Sequence, residues 1–403
     1  MRDPLPRDRT RAPAEGTALA LSAMASAYVP GLQGVVAART RLSMVDGKNG
    51  VLVIAGFPLE EIAERATFEE LVYLLWNDRL PNAKELGDFR AHLAGLREIP
   101  PITREVLEAA AKQKASGMDA LRMAAGTLGL RDDGETLPEG QYRDALVAVA
   151  RFPTIVAAYA RLLGREGVIA PHHGLGHAAN YLYMLSGARP SDARARALDT
   201  YLNTVIDHGL NASTFAARVI VSTESDIISA VVGAIGALKG PLHGGAPGPA
   251  LEMVFEIGDA SNAEPFMRAK LARGERLMGF GHRVYKVRDP RADVLARAAE
   301  RVFAADGDTK LYDLARKVER VALHLLDEHK PGRNLRTNVE FFTALVLQGL
   351  GIPVELFTPT FAVSRVAGWT AHCLEQLASN RIIRPESEYT GETTRRWVPL
   401  EQR

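Results

Sequence analysis

The first regular pattern in the chain is a pair of short apolar runs joined by turn-forming residues. Arg41–Val45 and Val51–Ile54 flank the segment Asp46–Gly50, which consists of Asp, Gly, Lys, Asn and Gly. Two short apolar runs separated by such residues are typical of a β-hairpin. We therefore expect a small hairpin near the N-terminus.

Beyond the hairpin, apolar residues recur three and four positions apart almost throughout, a spacing typical of amphipathic helices. Thr67–Glu70 has the sequence of a capping box, and Phe68, Leu71 and Leu75 continue an apolar face behind it. Strand-like alternation is scarce, so the pattern predicts an all-α fold with many antiparallel helices. Further helices are expected over residues 143–163, 192–206, 225–238, 292–305, 312–329, 340–350 and 364–378.

Composition narrows the class of protein. Hydrophobic residues make up 47% and charged residues 24% of the 403 positions, which is typical of a soluble globular enzyme. The formal net charge is +1 and no long basic stripe stands out, so nucleic acid is not the expected partner. Cys373 is the only cysteine, which excludes an intrachain disulfide and a zinc site built on paired cysteines, and fits a reducing cytoplasm.

The segment before the hairpin, residues 1–35, is predicted to be a mobile tail because its prolines disfavour a helix. Its arginines and the alanine-rich run over residues 18–27 are superficially similar to a secretory signal, but acidic residues dilute the charge and few strongly apolar residues are present. No uninterrupted apolar stretch approaches the roughly 20 residues of a membrane span. The closest, Ile227–Leu238, contains two glycines and is predicted to be a buried helix packed closely on another.

Three junctions between predicted helices, residues 239–248, 279–291 and 331–340, are rich in Gly and Pro and contain the candidate catalytic residues. His243 and His282 each lie in a turn flanked by glycine, and Glu340 begins a predicted helix. Together with arginines that are well separated in sequence, these residues suit proton abstraction beside a carbonyl, with anionic substrate groups held by guanidinium groups. The alternative is that the histidines only cap helices or stabilise turns.

The amino-acid sequences at these junctions resemble those of the citrate synthase family in content, order and spacing, and the resemblance runs from about Leu42 to Gly391. Each motif alone is weak evidence for the family, but five motifs in the same order are specific to it. The bacterial minor citrate synthases and 2-methylcitrate synthases look most similar. The motifs are Asn211–Arg218, Gly240–Gly245, Gly279–His282 with Asp289–Arg291, Asn338–Phe341, and Phe357–Pro359 with Gly368–Trp369.

The resemblance implies a two-domain helical fold. A large domain would comprise residues 36–240 and 351–403, and a small domain, residues 241–350, would swing over the substrate. It also implies a homodimer with shared active sites, acyl-CoA and oxaloacetate as substrates, and neither a metal nor a tightly bound cofactor.

The catalytic roles that the resemblance implies fall on three residues. His243 would hydrogen-bond the thioester oxygen, His282 would polarise the ketone under attack, and Glu340 would remove a proton from the acetyl methyl group. His208 would contact the oxo diacid, and Arg291, Arg365 and Arg384 would hold its carboxylates, the last of them across the dimer interface.

Coenzyme A carries phosphates, so basic residues near two of the junctions are candidates to bind them. The alternative is a solvated basic face. The candidates are Lys286, Arg288, Lys330, Arg333 and Arg336.

The chain departs from the family pattern in three places. Glu340 stands where Asp is usual, Gly209 stands where Glu is common, and Gly244–Gly248 replaces a string ending in Asn-Glu. The last two departures remove acidic groups and favour a minor or 2-methylcitrate-type enzyme. Glu340 and Gly209 leave open a catalytically silent paralogue that binds CoA or regulates another protein.

Overall fold

The computed structural model describes residues 28–130, 140–244, 247–282 and 284–403. Residues 1–27 of the predicted tail lie outside this part of the chain. Contacts within the molecule define two units, Thr40–Ile383 and a second one made of both termini up to Arg39 and from Arg384. In the second unit the described residues form two short 3-10 helices, Pro30–Leu32 and Leu400–Gln402, and are mostly exposed.

A small antiparallel sheet opens the first unit. Its strands are β1 (Ser43–Asp46), β2 (Val51–Ile54) and β3 (Phe57–Pro58), in that spatial order. Ser43 pairs with Ile54 and Asp46 with Val51, which confirms the predicted hairpin and its turn. The sequence did not predict β3, which pairs with β2 after a two-residue turn.

Helices make up most of the remaining described chain. The first eight are α1 (Leu59–Ile62), α2 (Phe68–Asn77), α3 (Ala83–Gly95), α4 (Pro101–Lys112), α5 (Gly117–Gly126), α6 (Gln141–Leu163), α7 (His177–Ser186) and α8 (Asp192–Val205). The next eight are α9 (Ala212–Val221), α10 (Ile227–Leu238), α11 (Pro247–Ile257), α12 (Ala263–Ala272), α13 (Pro290–Asp306), α14 (Lys310–His329), α15 (Val339–Gly349) and α16 (Phe357–Ala378).

The predicted helices are confirmed, most of them to within two residues at each end. The capping box at Thr67 is present, with its side chain accepting from the backbone of Glu70 while that glutamate accepts from the Thr67 amide. The start of α16 differs, because the helix begins at Phe357 and not near Ser364. Pro359 lies in its first turn, where the missing N–H costs no helical hydrogen bond.

Helix α6 forms the centre of the large core. It packs against α4, α5, α7 and α16, and most of its residues are buried on all sides. Among the described residues it is the one helix long and apolar enough to cross a membrane, but 78% of its 18-residue apolar stretch is buried inside the protein. That burial is typical of a core helix.

Close helix contacts bring the junctions together. Helix α10 packs on α9, as predicted, and a Cβ on Gly233 would overlap the side chain of Ile220. Likewise, a Cβ on Gly368 would overlap the carbonyl oxygen of Ile206, so this glycine lets α16 approach the end of α8. Helix α13 packs on both α8 and α15. The division into a large and a small domain at residues 240 and 350 stays a prediction.

Candidate active site

Six of the predicted site residues meet in the first unit. The imidazole rings of His208 and His282 lie 6.0 Å apart between centroids. His208 interacts electrostatically with Arg291, Arg365 and His243, and Glu340 interacts with both arginines. Arg384 belongs to the second unit, and its role stays a prediction.

His243 is held by a chain of hydrogen bonds from two helices. Its Nε2 lies 2.8 Å from the hydroxyl of Ser213, which is buried near the start of α9. The indole N–H of Trp369 donates to the same hydroxyl oxygen at 3.0 Å. Thr358 donates to the carbonyl of Gly244 at 2.7 Å and so anchors the turn. Burial, with help from Arg365, lowers the pKa of His243 to about 4, so the ring is neutral near pH 7.

The tautomer of His282 follows from its backbone contacts. Its Nδ1 accepts the amide N–H groups of Val284 and Tyr285, both at 3.0 Å. Burial and the neighbouring Arg291 lower the pKa of His282 to about 4, so near neutral pH the ring carries one proton. Because Nδ1 is an acceptor, that proton is on Nε2. His282 is therefore a neutral hydrogen-bond donor through Nε2.

Arg291 lies next to this donor. The buried carboxylate of Asp289 accepts hydrogen bonds from Nε and Nη2 of Arg291 at 3.0 and 2.8 Å, which makes a bidentate ion pair. The same carboxylate accepts the backbone N–H of Val339 at 3.2 Å. Nη2 of Arg291 lies 3.4 Å from Nε2 of His282. Both atoms carry protons, so they cannot bond each other. An oxygen acceptor that contacts both of them would satisfy the two donors.

Arg365 is the second buried guanidinium of the site. Its Nε donates to the carbonyl of Val205 at 2.7 Å, and its guanidinium lies 4.5 Å from the ring centre of Phe361. Burial lowers the pKa of Arg365 to about 10, which leaves the group charged at neutral pH. Its Nη atoms remain available for an anionic ligand, since no hydrogen bond from them to the described protein residues is present.

His208 lies in a turn whose backbone is braced from the hairpin. Ser43 of β1 donates to the buried carboxylate of Asp207 at 2.5 Å and accepts the amide N–H of Gly209 at 2.7 Å. Gly209 has a φ of +59°, a left-handed conformation that glycine adopts easily. Burial and Arg291 hold the pKa of His208 well below its usual range, so it is neutral as well.

Glu340 occupies the first turn of α15. Asn338 caps this helix through the amide of Glu340 at 3.0 Å and also donates to the carbonyl of Gly281 at 2.9 Å, which ties the helix to the His282 turn. The side chain keeps a partly accessible surface. Burial of its carboxyl, opposed by Arg291 and Arg365, raises the pKa of Glu340 to about 7. A carboxylate with that pKa is well matched to act as a base near neutral pH.

The candidate phosphate-binding residues differ in their contacts. Arg288 forms ion pairs with Asp293 at 2.6 Å and with Glu319 at 2.8 Å. Arg336 forms an ion pair with Asp327 at 2.7 Å. Lys330 and Arg333 are exposed. Phosphate binding by Arg288 or Arg336 would have to compete with these ion pairs.

Sequence reasoning missed several residues that hold the site together. Ser213 and Asp289 lie inside the quoted motifs, so their types and positions were visible but not their partners. Nothing in the sequence pointed to a role for Tyr285 except that it lies three positions after His282. Among the described residues, no group of three or more His, Cys, Asp or Glu side chains could hold a metal ion.

Three neutral imidazoles, a carboxyl of raised pKa and two buried arginines on a helical fold define an enzyme of the class that removes a proton beside a carbonyl of an anionic substrate. Comparison with known proteins makes the assignment specific. The chain belongs to the citrate synthase family, as the sequence predicted: the family model described as citrate synthase, C-terminal domain, matches residues 31–386.

Similar proteins cover nearly the whole chain. Citrate synthase 2 of Bacillus subtilis is 44% identical over 93% of this chain and 98% of its own length. The 2-methylcitrate synthase of Mycobacterium tuberculosis is 40% identical over 91% of each chain. The solved structure of citrate synthase from Thermoplasma acidophilum, in a ternary complex with carboxymethyl coenzyme A and oxaloacetate, is 31% identical, with a TM-score of 0.83 over 92% of this chain and 98% of that one. The predicted all-α, citrate-synthase-like fold is confirmed.

Proposed function

We propose that the protein condenses the acetyl group of acetyl-CoA with oxaloacetate, giving citrate and free CoA. The observation that carries the proposal is the pair of adjacent donors on His282 and Arg291, which can share one oxygen acceptor. A 2-oxo diacid supplies such oxygens on its ketone and on the adjacent carboxylate. The relatives that carry the name citrate synthase support the same substrates.

The reaction would begin at Glu340, which takes a proton from the methyl carbon of the thioester. A carboxyl with a pKa of about 7 is substantially ionised at neutral pH and is a stronger base than an ordinary glutamate. The resulting enolate oxygen would accept a hydrogen bond from His243. If the Ser213 hydroxyl donates to Nε2 of that ring, the single imidazole proton is on Nδ1, which then donates to the thioester oxygen.

The new carbon–carbon bond would form between the enol carbon and the ketone carbon of oxaloacetate. Electron density moves onto the ketone oxygen, which His282 stabilises through Nε2–H and which takes up a proton to become a hydroxyl, while Arg291 and Arg365 hold the carboxylates. Glu340 gives up the methyl proton to solvent and returns to its carboxylate form. Water then hydrolyses the citryl thioester, which releases CoA.

A second candidate is 2-methylcitrate synthesis from propionyl-CoA. The similarity to the Mycobacterium tuberculosis enzyme favours this alternative. Propionyl-CoA differs by one methylene, which an apolar pocket discriminates by only about 1–3 kcal/mol. A catalytically silent paralogue is disfavoured, because the residues proposed as base, imidazole donors and carboxylate ligands interact with one another in the first unit.

A thiol-release assay tests the proposal with acetyl-CoA and propionyl-CoA side by side, each with and without oxaloacetate. The expected result is CoA release that depends on oxaloacetate and has a higher kcat/KM for acetyl-CoA. A higher value for propionyl-CoA would assign the 2-methylcitrate reaction. Absence of release with both thioesters, from folded protein, would overturn the enzyme proposal.

We further propose the arrangement that the family resemblance implies. The protein would act in the cytoplasm as a homodimer in which Arg384 of each subunit serves the partner's site. Lys286, Lys330 and Arg333 would bind the phosphates of CoA, with Arg288 and Arg336 contributing only if their ion pairs rearrange.

A further inference from the structure

Tyr285 contacts both histidines on the oxaloacetate side of the site. It is 3% exposed and follows the His282 turn in the loop that leads to α13. Its hydroxyl lies 3.1 Å from Nε2 of His208. Its ring lies 4.9 Å from the imidazole of His282, between centroids, at an interplanar angle of 40°.

The backbone of the same residue contacts the second histidine. The amide N–H of Tyr285 donates to Nδ1 of His282 at 3.0 Å, alongside that of Val284. One residue thus orients His208 through its side chain and His282 through its main chain. The two rings come from turns 74 positions apart in sequence, so no local structure could align them.

We propose that Tyr285 is a positioning residue for oxaloacetate binding, whose hydroxyl fixes the orientation and the tautomer of His208. The inference rests on the proposed function. A phenol is a stronger acid than a neutral imidazole N–H, and an imidazole nitrogen is a stronger base than a phenol oxygen. The hydroxyl therefore donates to Nε2, and the proton of His208 is on Nδ1.

The protonation states agree with this assignment. Burial raises the pKa of the Tyr285 hydroxyl, so it keeps its proton across the neutral range. Burial and Arg291 lower the pKa of His208, so the ring accepts at Nε2 without becoming charged. The guanidinium of Arg291 lies 5.7 Å from the centre of the Tyr285 ring and restricts it from another side.

The loop around Tyr285 is itself braced. The amide of Lys286 donates to the carbonyl of Gly47 in the hairpin turn at 2.8 Å, and Asn334 donates to the carbonyl of Lys286 at 2.6 Å. A Cβ on Gly47 would overlap the carbonyl of Val284, so the turn and the loop are in close contact. Since Ser43 of the same hairpin braces the His208 turn, the hairpin supports both ends of the contact between Tyr285 and His208.

Tyr285→Phe tests the inference, since it keeps the ring and removes only the hydroxyl. Because the backbone contact to His282 remains, the expected result is a KM for oxaloacetate raised about tenfold, with kcat lowered less than threefold and the KM for acetyl-CoA within twofold. Tyr181→Phe is the matched control. It removes another buried hydroxyl, which bonds Thr360 at 2.8 Å, and should change none of the three constants.

A second measurement needs no variant of Tyr285. In protein labelled with 15N-histidine, the His208 signals, assigned by their loss in His208→Gln, should be those of a ring protonated on Nδ1. A ring protonated on Nε2, or an oxaloacetate KM within twofold of wild type in Tyr285→Phe, would overturn the inference. Failure of the proposed function can be told apart from failure of this inference, because in that case the wild-type protein itself would release no CoA from acetyl-CoA or propionyl-CoA.

Discussion

The hydroxyl of Ser213 lies 2.8 Å from Nε2 of His243 and receives the indole N–H of Trp369 at 3.0 Å. Oδ1 of Asn211 lies 2.7 Å from the same hydroxyl, whose single proton is donated either to Asn211 or to Nε2 of His243. The hydroxyl therefore determines which way the imidazole is oriented and where its proton lies.

Ser213→Ala should lower kcat about tenfold, because His243 loses the group that orients it and a tenfold change corresponds to about 1.4 kcal/mol. The KM for oxaloacetate should stay within twofold, since the diacid is held by other residues. Ser222→Ala, a buried serine with no contact to His243, is the control and should retain the wild-type rate. Steady-state kinetics with both substrates check this, and an unchanged kcat in Ser213→Ala would contradict it.

Glu340→Gln should lower kcat by at least about 10², because the amide cannot accept the proton of the methyl group. Oxaloacetate binding, measured by calorimetry, should remain close to wild type because Glu340 acts on the other substrate. Glu340→Asp retracts the carboxylate by about 1 Å and should cost up to about 10² in kcat. If Gln keeps more than a tenth of the rate, another group is the base.

The pH dependence should follow the carboxyl of Glu340. Its pKa is raised to about 7, so below that pH the group is protonated and cannot accept a proton. The value of kcat/KM for acetyl-CoA should therefore fall tenfold per pH unit below about pH 6 and level off above about pH 8. His243 and His282, with pKa values lowered to about 4, stay neutral throughout and add no further step. A flat profile between pH 5 and pH 8 would contradict the assignment.

Basic residues near the predicted CoA site should separate into two groups. Arg288→Ala leaves the buried carboxylate of Glu319 with fewer partners, so the midpoint of thermal unfolding should fall by on the order of 3 °C. Lys330→Ala and Arg333→Ala should leave that midpoint unchanged and raise the KM for acetyl-CoA severalfold. The control is Lys84→Ala on α3, which should change neither the midpoint of thermal unfolding nor the KM for acetyl-CoA. The opposite pattern would assign the phosphate contact to Arg288.

Arg384 should act in the partner's site, which a mixing experiment tests. Glu340→Gln and Arg384→Ala, each inactive alone, are unfolded and refolded together in equal amounts. Random pairing makes about half of the dimers mixed, and each mixed dimer has one site with neither lesion. Roughly a quarter of wild-type activity should therefore return. A mixture that stays inactive, although mixed dimers are detected by mass spectrometry, would place Arg384 in its own subunit's site or in none.

Local sequence patterns were enough to predict the hairpin, about half of the helices and the chemical types of the site residues. Helix α2 followed from apolar spacing and its capping box, helix α14 from spacing alone, and the hairpin from its turn residues, because these signals involve neighbours in the chain. His243, His282 and Glu340 were also named from the sequence, since glycine-flanked turns and a helix start are local features.

The behaviour of those groups depends on the packing of distant segments. The neutrality of His243 and His282 and the raised pKa of Glu340 come from the exclusion of water, which depends on packing between distant segments. The same is true of Tyr285, whose hydroxyl meets His208 only because the loop before α13 folds against the turn after α8. A pKa and a hydrogen-bond partner are properties of a surrounding volume, and that volume is assembled from residues far apart in the chain.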